Sequence, residues 1–180
     1  MEIVLVVMVV FSVVVVAWLS LAQSGEPPAR GKPAPEFRLM GSDGAEHSLA
    51  QLRGRRAVLV FHPQDDTPEC LAVLERLSGA AAQIEASGAS LATVVVSDAG
   101  TAQAYAARHG PRSPVVCDTD GKVTKAYGAL VNLGFMKFAR KLIVLVDARG
   151  IVERVWRDAV GPQHVDELLK ALALPQSGSD

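Results

Sequence analysis

Two apolar runs decide what this chain can fold into. Ala57-Val58-Leu59-Val60-Phe61 and Leu91-Ala92-Thr93-Val94-Val95-Val96 lack the polar alternation of a half-exposed strand. Each therefore reads as a buried strand. Helical patterns lie between and after them. Thr67 to about Ser87 puts Leu71, Leu74, Leu77, Ala81 and Ile84 on one face. Thr101–His109, Lys122–Tyr127 and Pro162–Leu172 read as further helices. Glu36–Met40 is a short strand before the turn Ser42-Asp43-Gly44, and Pro114–Cys117 is another, ending at Asp118-Thr119-Asp120-Gly121. Leu142–Val146 and Ile151–Trp156 flank Asp147-Ala148-Arg149-Gly150 as a hairpin. Buried strands alternating with helices and closing on an antiparallel hairpin predict an α/β fold, a mixed β-sheet with helices on both faces.

The chain has 180 residues and is 49% hydrophobic, a figure raised by its beginning. Ile3 to Ala22 is apolar apart from Ser12 and Ser20. At about 1.5 Å per residue such a run matches the roughly 30 Å hydrocarbon core of a bilayer. Ser20-Leu21-Ala22 fits a signal-peptidase rule, but the start MEIV has no basic region and the run is long for a signal peptide. The sequence thus predicts residues 1–22 as one uncleaved transmembrane helix. Residues 23–35, QSGEPPARGKPAP, form a flexible Pro/Gly linker, 36–174 the folded domain and 175–180 a disordered tail. Arg30, Lys32 and Arg38 follow the run and none precedes it, so the positive-inside rule favours a cytoplasmic domain on a single-pass membrane protein.

Glu2 is the one charged residue in that segment, so the remainder carries 18 charges of each sign. No basic run with interleaved aromatics points to nucleic acid. Two cysteines are too few for a disulfide scaffold, and with four histidines they form no metal-ligand spacing. Neither a metal nor another cofactor is expected. The cysteines matter for reactivity or for packing.

Cys70 stands at the carboxyl end of the first core strand, where α/β sheets collect ligands. Thr67 suits an N-cap and Pro68 a first helical position, so Cys70 falls in the first helical turn. Unpaired N–H groups and the helix dipole there favour a thiolate. The competing possibility is a small apolar filler.

Pro63, Thr67 and Cys70 reproduce the Pro-x-x-x-Thr-x-x-Cys signature of peroxiredoxins. The string Pro63-Gln64-Asp65-Asp66-Thr67-Pro68-Glu69-Cys70 resembles the active-site loop of the bacterioferritin-comigratory type. The resemblance extends from about Gly31 to Leu172, through Gly31–Phe37, Leu49–Arg55, Asp118–Gly121, Ala126-Tyr127-Gly128, Val146-Asp147 and His164–Leu172. It implies a thioredoxin-like sheet and a peroxidase cycle. Cys70 would be the peroxidatic thiolate, oxidised to a sulfenic acid; Thr67 would hydrogen-bond the peroxide and Pro63 would shield the sulfur.

Two departures qualify the resemblance. The family's arginine six residues before the aspartate matching Asp147 is here Lys141, with Arg140 beside it. Successive strand residues face opposite ways, so only one of the two is expected in the site. Lysine supplies charge but not the planar fork of donors, so slower chemistry is expected. A resolving cysteine often stands five residues after the first, where this chain has Glu75. Cys117 is the remaining candidate, and core packing is its competing role. A one-cysteine cycle with an external thiol, a thioredoxin-like protein or a small thiol, is the expectation. Asp65-Asp66 reads as a loop feature and His62 as structural. The apolar insert Ala129–Phe138 would serve as core, as a homodimer contact or as a surface resting on the membrane.

The function that follows is a membrane-tethered thiol peroxidase acting on hydrogen peroxide or on organic and lipid hydroperoxides. One alternative is a degenerate redoxin domain that scaffolds partners. The other is a thioredoxin-like disulfide oxidoreductase, which normally needs Cys-x-x-Cys, whereas Thr67 stands at the first cysteine's position.

Overall fold

The computed structural model describes residues 2–21, 25–110, 112–158 and 161–174, with side chains of the first helix described over residues 4–15. The elements in chain order are α1 (Glu2–Leu21), β1 (Arg38–Gly41), β2 (Glu46–Ser48), α2 (Leu49–Leu52), β3 (Ala57–Phe61) and α3 (Pro68–Ala86). They continue with β4 (Ser90–Val95), α4 (Ala99–His109), β5 (Val115–Cys117), α5 (Lys122–Ala126), β6 (Leu130–Asn132) and β7 (Lys137–Ala139). The last are β8 (Leu142–Val146), β9 (Val152–Arg157) and α6 (Gln163–Ala173). The short β2 and α2 were not expected. Ser48 and Gln51 close a capping box at the start of α2, a signal that is present in the sequence.

A seven-stranded sheet runs in the order β2-β1-β5-β4-β3-β8-β9. β3, β4 and β5 are parallel, and β1 and β8 flank them antiparallel. β3 is buried at all five positions, and alternation divides its side chains between two cores. Ala57, Leu59 and Phe61 pack with Phe37, Leu49, Tyr127 and Val144. Val58 and Val60 pack with Val73, Leu77 and Ile84 of α3 and with Val165 and Leu168 of α6. Ala102 of α4 packs with Val95, Val115 and Cys117. The expected helix–sheet–helix arrangement is thus present, with α3 and α6 sharing one face.

Three features differ from expectation. Residues 25–35 do not form a free linker beyond Gly25. Gly31 N–H donates to Val152 O at 2.8 Å, Val152 N–H to Lys32 O at 2.9 Å and Ala34 N–H to Gly150 O at 2.9 Å. The backbone of Gly25–Pro27 also lies so close to Gly128 that a Cβ there would stand 2.5 Å from Glu26 C. Second, the insert after Tyr127 is a two-stranded ribbon of β6 and β7, with Phe135 81% exposed near its tip. Third, the apolar run at the start of the chain forms the helix α1, Glu2–Leu21. Among the described residues no helix is long and apolar enough to cross a membrane, so the expected transmembrane helix is not met there. The expected tail at 175–180 lies outside the described residues.

Arg56, just before β3, is buried and ties the end of α6 to the sheet. Its Nη1 donates to Leu172 O at 3.1 Å and Leu174 O at 2.9 Å, and Nη2 meets Glu153 Oε1 at 2.8 Å. The guanidinium satisfies carbonyls that a helix end leaves open. Removing one partner of a buried pair leaves the other uncompensated, so Arg56→Met is expected to cost about 3 kcal/mol. Urea unfolding of the full chain measures it, and Arg56→Met with Glu153→Met should recover part of the loss.

Candidate active site

The site is built where β3 ends and α3 begins. His62 continues β3 through its N–H to Val94 O at 3.1 Å. The chain then turns through Pro63–Asp66, with Gln64 at φ 56°, a left-handed conformation uncommon for a side-chain-bearing residue. Gln64 N–H donates to His62 Nδ1 at 3.1 Å, which stabilises that turn. Thr67 caps α3, its Oγ1 accepting from Cys70 N–H at 3.4 Å, and Pro68 is the first helical residue, as the sequence predicts. Cys70 is the third.

Cys70 is 0% exposed in this closed arrangement. Burial, foremost, and the neighbouring Asp65 push its thiol above the ordinary value, while the nearby Thr67 and Lys141 pull it down. The expectation that the helix start alone would favour a thiolate is therefore corrected: desolvation prevails while the loop covers the sulfur. Lys141 is brought to the thiol because it directly precedes β8, whose Leu142 pairs with Phe61 at the end of β3. Arg140 has its N–H bonded to Ala129 O at 2.7 Å, joining the ribbon to the sheet. Of the two basic residues, Lys141 is the one among the groups acting most strongly on Cys70. Pro63 is partly buried in the loop between His62 and Thr67.

Cys117 is buried at the end of β5 with Val95, Val115 and Ala102. β4 separates β5 from β3, which spaces the two strand axes by roughly 10 Å. Both cysteines are free. Burial raises the Cys117 thiol, with smaller contributions from Asp98 and Asp43. Among the described residues no group of three His, Cys, Asp or Glu side chains could hold a metal ion.

The structure gives partners to residues that the sequence reading set aside, Asp65 and Asp66, and to others that it did not single out. Asp65 Oδ1 accepts from Thr67 Oγ1 at 2.8 Å. Asp66 turns the other way and receives Arg108 Nη1 at 3.1 Å and His109 Nε2 at 3.0 Å, fastening the loop to the last turn of α4. Tyr105 of α4 stacks on His109 at 4.5 Å between ring centroids, and its hydroxyl is 3.5 Å from His62 Nδ1. Only the spacing of Tyr105, Arg108 and His109 along one helix face could have hinted at this layer.

A buried thiol at the start of the helix that follows the first core strand, beside a lysine and a capping threonine, defines a thiol-dependent redox site in a thioredoxin-like sheet. Comparison with known proteins agrees. A crystal structure of peroxidoxin BcpB from Mycobacterium tuberculosis superposes with a TM-score of 0.75 at 20% identity, covering 85% of this chain and all of that one, a likeness that establishes the fold. A Helicobacter pylori protein bearing the name peroxiredoxin bcp is 29% identical over 147 residues, 79% of this chain and 96% of its own. The chloroplast peroxiredoxin Q of Populus jackii is 27% identical over 144 residues, 79% of this chain and 67% of its own. The AhpC/TSA family profile matches residues 30–155, and the chain belongs to that family. It is a peroxiredoxin-type thiol peroxidase.

His62 supplies a test of this environment. It is 2% exposed and its Nε2 has no hydrogen-bond partner. Burial, foremost, lowers its pKa to about 4, so the folded protein holds it neutral. Because the folded value lies below the unfolded one, its contribution is complete above about pH 6.5 and is lost as pH falls towards 4. Over that window wild type should lose about 3 kcal/mol more stability than His62→Phe. Urea unfolding at pH 7 and at pH 4.5 reads the difference.

Proposed function

We propose that Cys70 is the peroxidatic thiol of this enzyme and that Thr67, Pro63 and Lys141 serve it. The observation that supports this most is the convergence on one residue of the Thr67 cap, at the Cys70 N–H, and the Lys141 side chain, at its thiol. The Cys70 thiolate attacks the hydroxyl-bearing oxygen of a peroxide. A sulfur–oxygen bond forms as the oxygen–oxygen bond breaks, and the leaving oxygen takes a proton from water. Cysteine is oxidised to sulfenic acid and the peroxide is reduced to an alcohol or water. Loop movement that admits peroxide also rehydrates the sulfur, lifting the burial that opposes the thiolate. Lys141 stabilises charge there as a point ammonium rather than as a fork, which supports slower turnover than an arginine would give.

Regeneration uses an external thiol. Glu75, exposed on α3, occupies the position of a local resolving cysteine, and Cys117 lies among apolar side chains beyond β4. A first external thiol condenses with the sulfenic acid, releasing water and leaving a mixed disulfide, which a second thiol reduces. With a thiol reductant supplied, Cys70→Ser should reduce peroxide consumption to background. Cys117→Ser should stay within about twofold of wild type, since it removes no group from the Cys70 environment. Lys141→Ala should slow oxidation by about tenfold or more through loss of the charge. Intact mass after one equivalent of peroxide shows the addition of one oxygen at Cys70. Loss of two hydrogens that requires Cys117 would instead make Cys117 the resolving thiol.

Attachment to a membrane through the N-terminal helix, with the domain on the cytoplasmic side, completes the proposal. It is supported by the apolar run Ile3 to Ala22 and by the exposed side chains of Val4 to Val14. Such placement brings the site to lipid hydroperoxides. The full chain should sediment with membranes and a variant lacking residues 2–21 should not. Recovery of the full chain in the supernatant overturns the tether without touching the peroxidase assignment.

A further inference from the structure

Asp65 lies beside both of the side chains proposed to act. Thr67 Oγ1 donates to Asp65 Oδ1 at 2.8 Å, and the same carboxylate is among the groups that push the Cys70 thiol up. A threonine hydroxyl has one proton and two lone pairs. In this structure the proton goes to Asp65, and one lone pair accepts Cys70 N–H at 3.4 Å. The second lone pair is left for an incoming molecule. If Asp65 did not accept that proton, the Cys70 thiolate would be a strong competing acceptor. A hydroxyl bonded to the sulfur would stabilise the thiolate, yet it would also draw off the electron pair that must attack.

We propose that Asp65 is a positioning residue for the peroxidase reaction: by accepting the Thr67 proton, it presents Thr67 to the peroxide as an acceptor. The peroxide O–H donates to Thr67 Oγ1, which points its oxygen at the sulfur. The sulfur electron pair forms the new bond to that oxygen, and the departing oxygen leaves with the old bonding pair and takes a proton from water. The sulfenic acid keeps the peroxide's own proton.

The charge of Asp65 has a second consequence. It opposes ionisation of Cys70, whereas Lys141, preceding β8, favours it. The other groups facing this pair are His62 at the end of β3, held neutral by burial, and Tyr105 of α4, whose phenol burial and nearby Cys70, Asp66 and Asp65 push up. Asp66, next along the loop, is engaged by Arg108 and His109. Burial opposes ionisation of Asp65 itself, but hydrogen bonds from Cys70 and Thr67 and the Lys141 charge prevail and hold it below the ordinary carboxylate value.

Asp65→Asn and Asp65→Ala separate the two effects in the full chain, solubilised in mild detergent. Asparagine can still accept the Thr67 proton but carries no charge; alanine does neither. In both variants the midpoint of Cys70 alkylation by iodoacetamide against pH should move to lower pH. The oxidation rate by hydrogen peroxide, taken at the plateau where Cys70 is fully ionised, should stay within about threefold of wild type in Asp65→Asn. It should fall about tenfold or more in Asp65→Ala, the scale of one hydrogen bond used in the transition state. Equal plateau rates in the two variants overturn the positioning role, and an unmoved midpoint in both shows that the carboxylate does not act on the sulfur. The inference rests on Cys70 being the peroxidatic thiol, and the two can fail separately. Alkylation reads Asp65 without peroxide, while wild-type Cys70 that does not oxidise would sink the underlying assignment.

Discussion

The pairing of β3 with β8 is the constraint on which this site depends. Phe61 is the last residue of β3, and its partners are Val94 on one side and Leu142 on the other. Because β8 runs antiparallel to β3, the residue before Leu142 arrives level with the residue after Phe61. Lys141 and the loop beginning at His62 are thereby placed at one edge of the sheet. A one-residue slip in this register would turn Lys141 to the opposite face and replace it with Arg140 or Leu142. The slip is opposed by the full burial of Leu142 to Val146, whose alternate side chains fill two different cores. The charge beside the thiol is thus positioned by apolar packing that never touches it.

The same packing explains how a strained and polar loop persists. Gln64 is in the left-handed region, Gln64 Nε2 and His62 Nε2 are buried without partners, and Cys70 is sealed from water. Each of these costs free energy on the order of a kcal/mol or more. The loop is over-determined by its ends. β3 holds His62 through Val94, the α3 cap holds Thr67, and Asp66 is tied to Arg108 and His109 of α4. Of these ties the surface ion pairs are the weakest, being exposed and open to screening. Were the loop to open, the α4 contact would give first, with the β3 pairing left intact.

What could be foreseen followed from local physics. Continuous apolar runs named β3 and β4, because a strand buried on both faces cannot alternate, and the turn Asp147–Gly150 named the hairpin of β8 and β9. Thr67-Pro68 announced the start of α3, because capping is a matter of neighbouring residues. The helix start was also expected to favour a thiolate, and there the inference failed: the desolvation of Cys70 depends on how the loop folds over it, which no local pattern records. Lys141 was matched through the resemblance, strand alternation said only that it and Arg140 could not both face the site, and Lys141 is the one that acts on the Cys70 thiol. Residues 25–35 had the composition of a free tether, yet their backbone pairs with β9 and lies against Gly128. Pro and Gly mark where a chain cannot form regular structure, not where it is unbound.

Asp65 shows most sharply why composition and motif reach only so far. Two adjacent acids in a loop read as one solvated feature, but the turn at Gln64 sends them in different directions, Asp66 to the cations of α4 and Asp65 to Thr67. A single backbone conformation thus converts a repeated residue into two roles. Asp65 and Lys141 both act on Cys70, and the effects of their opposite charges on the thiol are opposed. Its ionisation is then set less by the helix than by which of the two lies nearer and how dry the space is. In a low-dielectric pocket both terms grow, and in an opened, hydrated one both shrink. On the proposed assignment of Cys70, burial in the closed site opposes the thiolate, and a movement that admitted a peroxide would also rehydrate the sulfur and relieve that opposition.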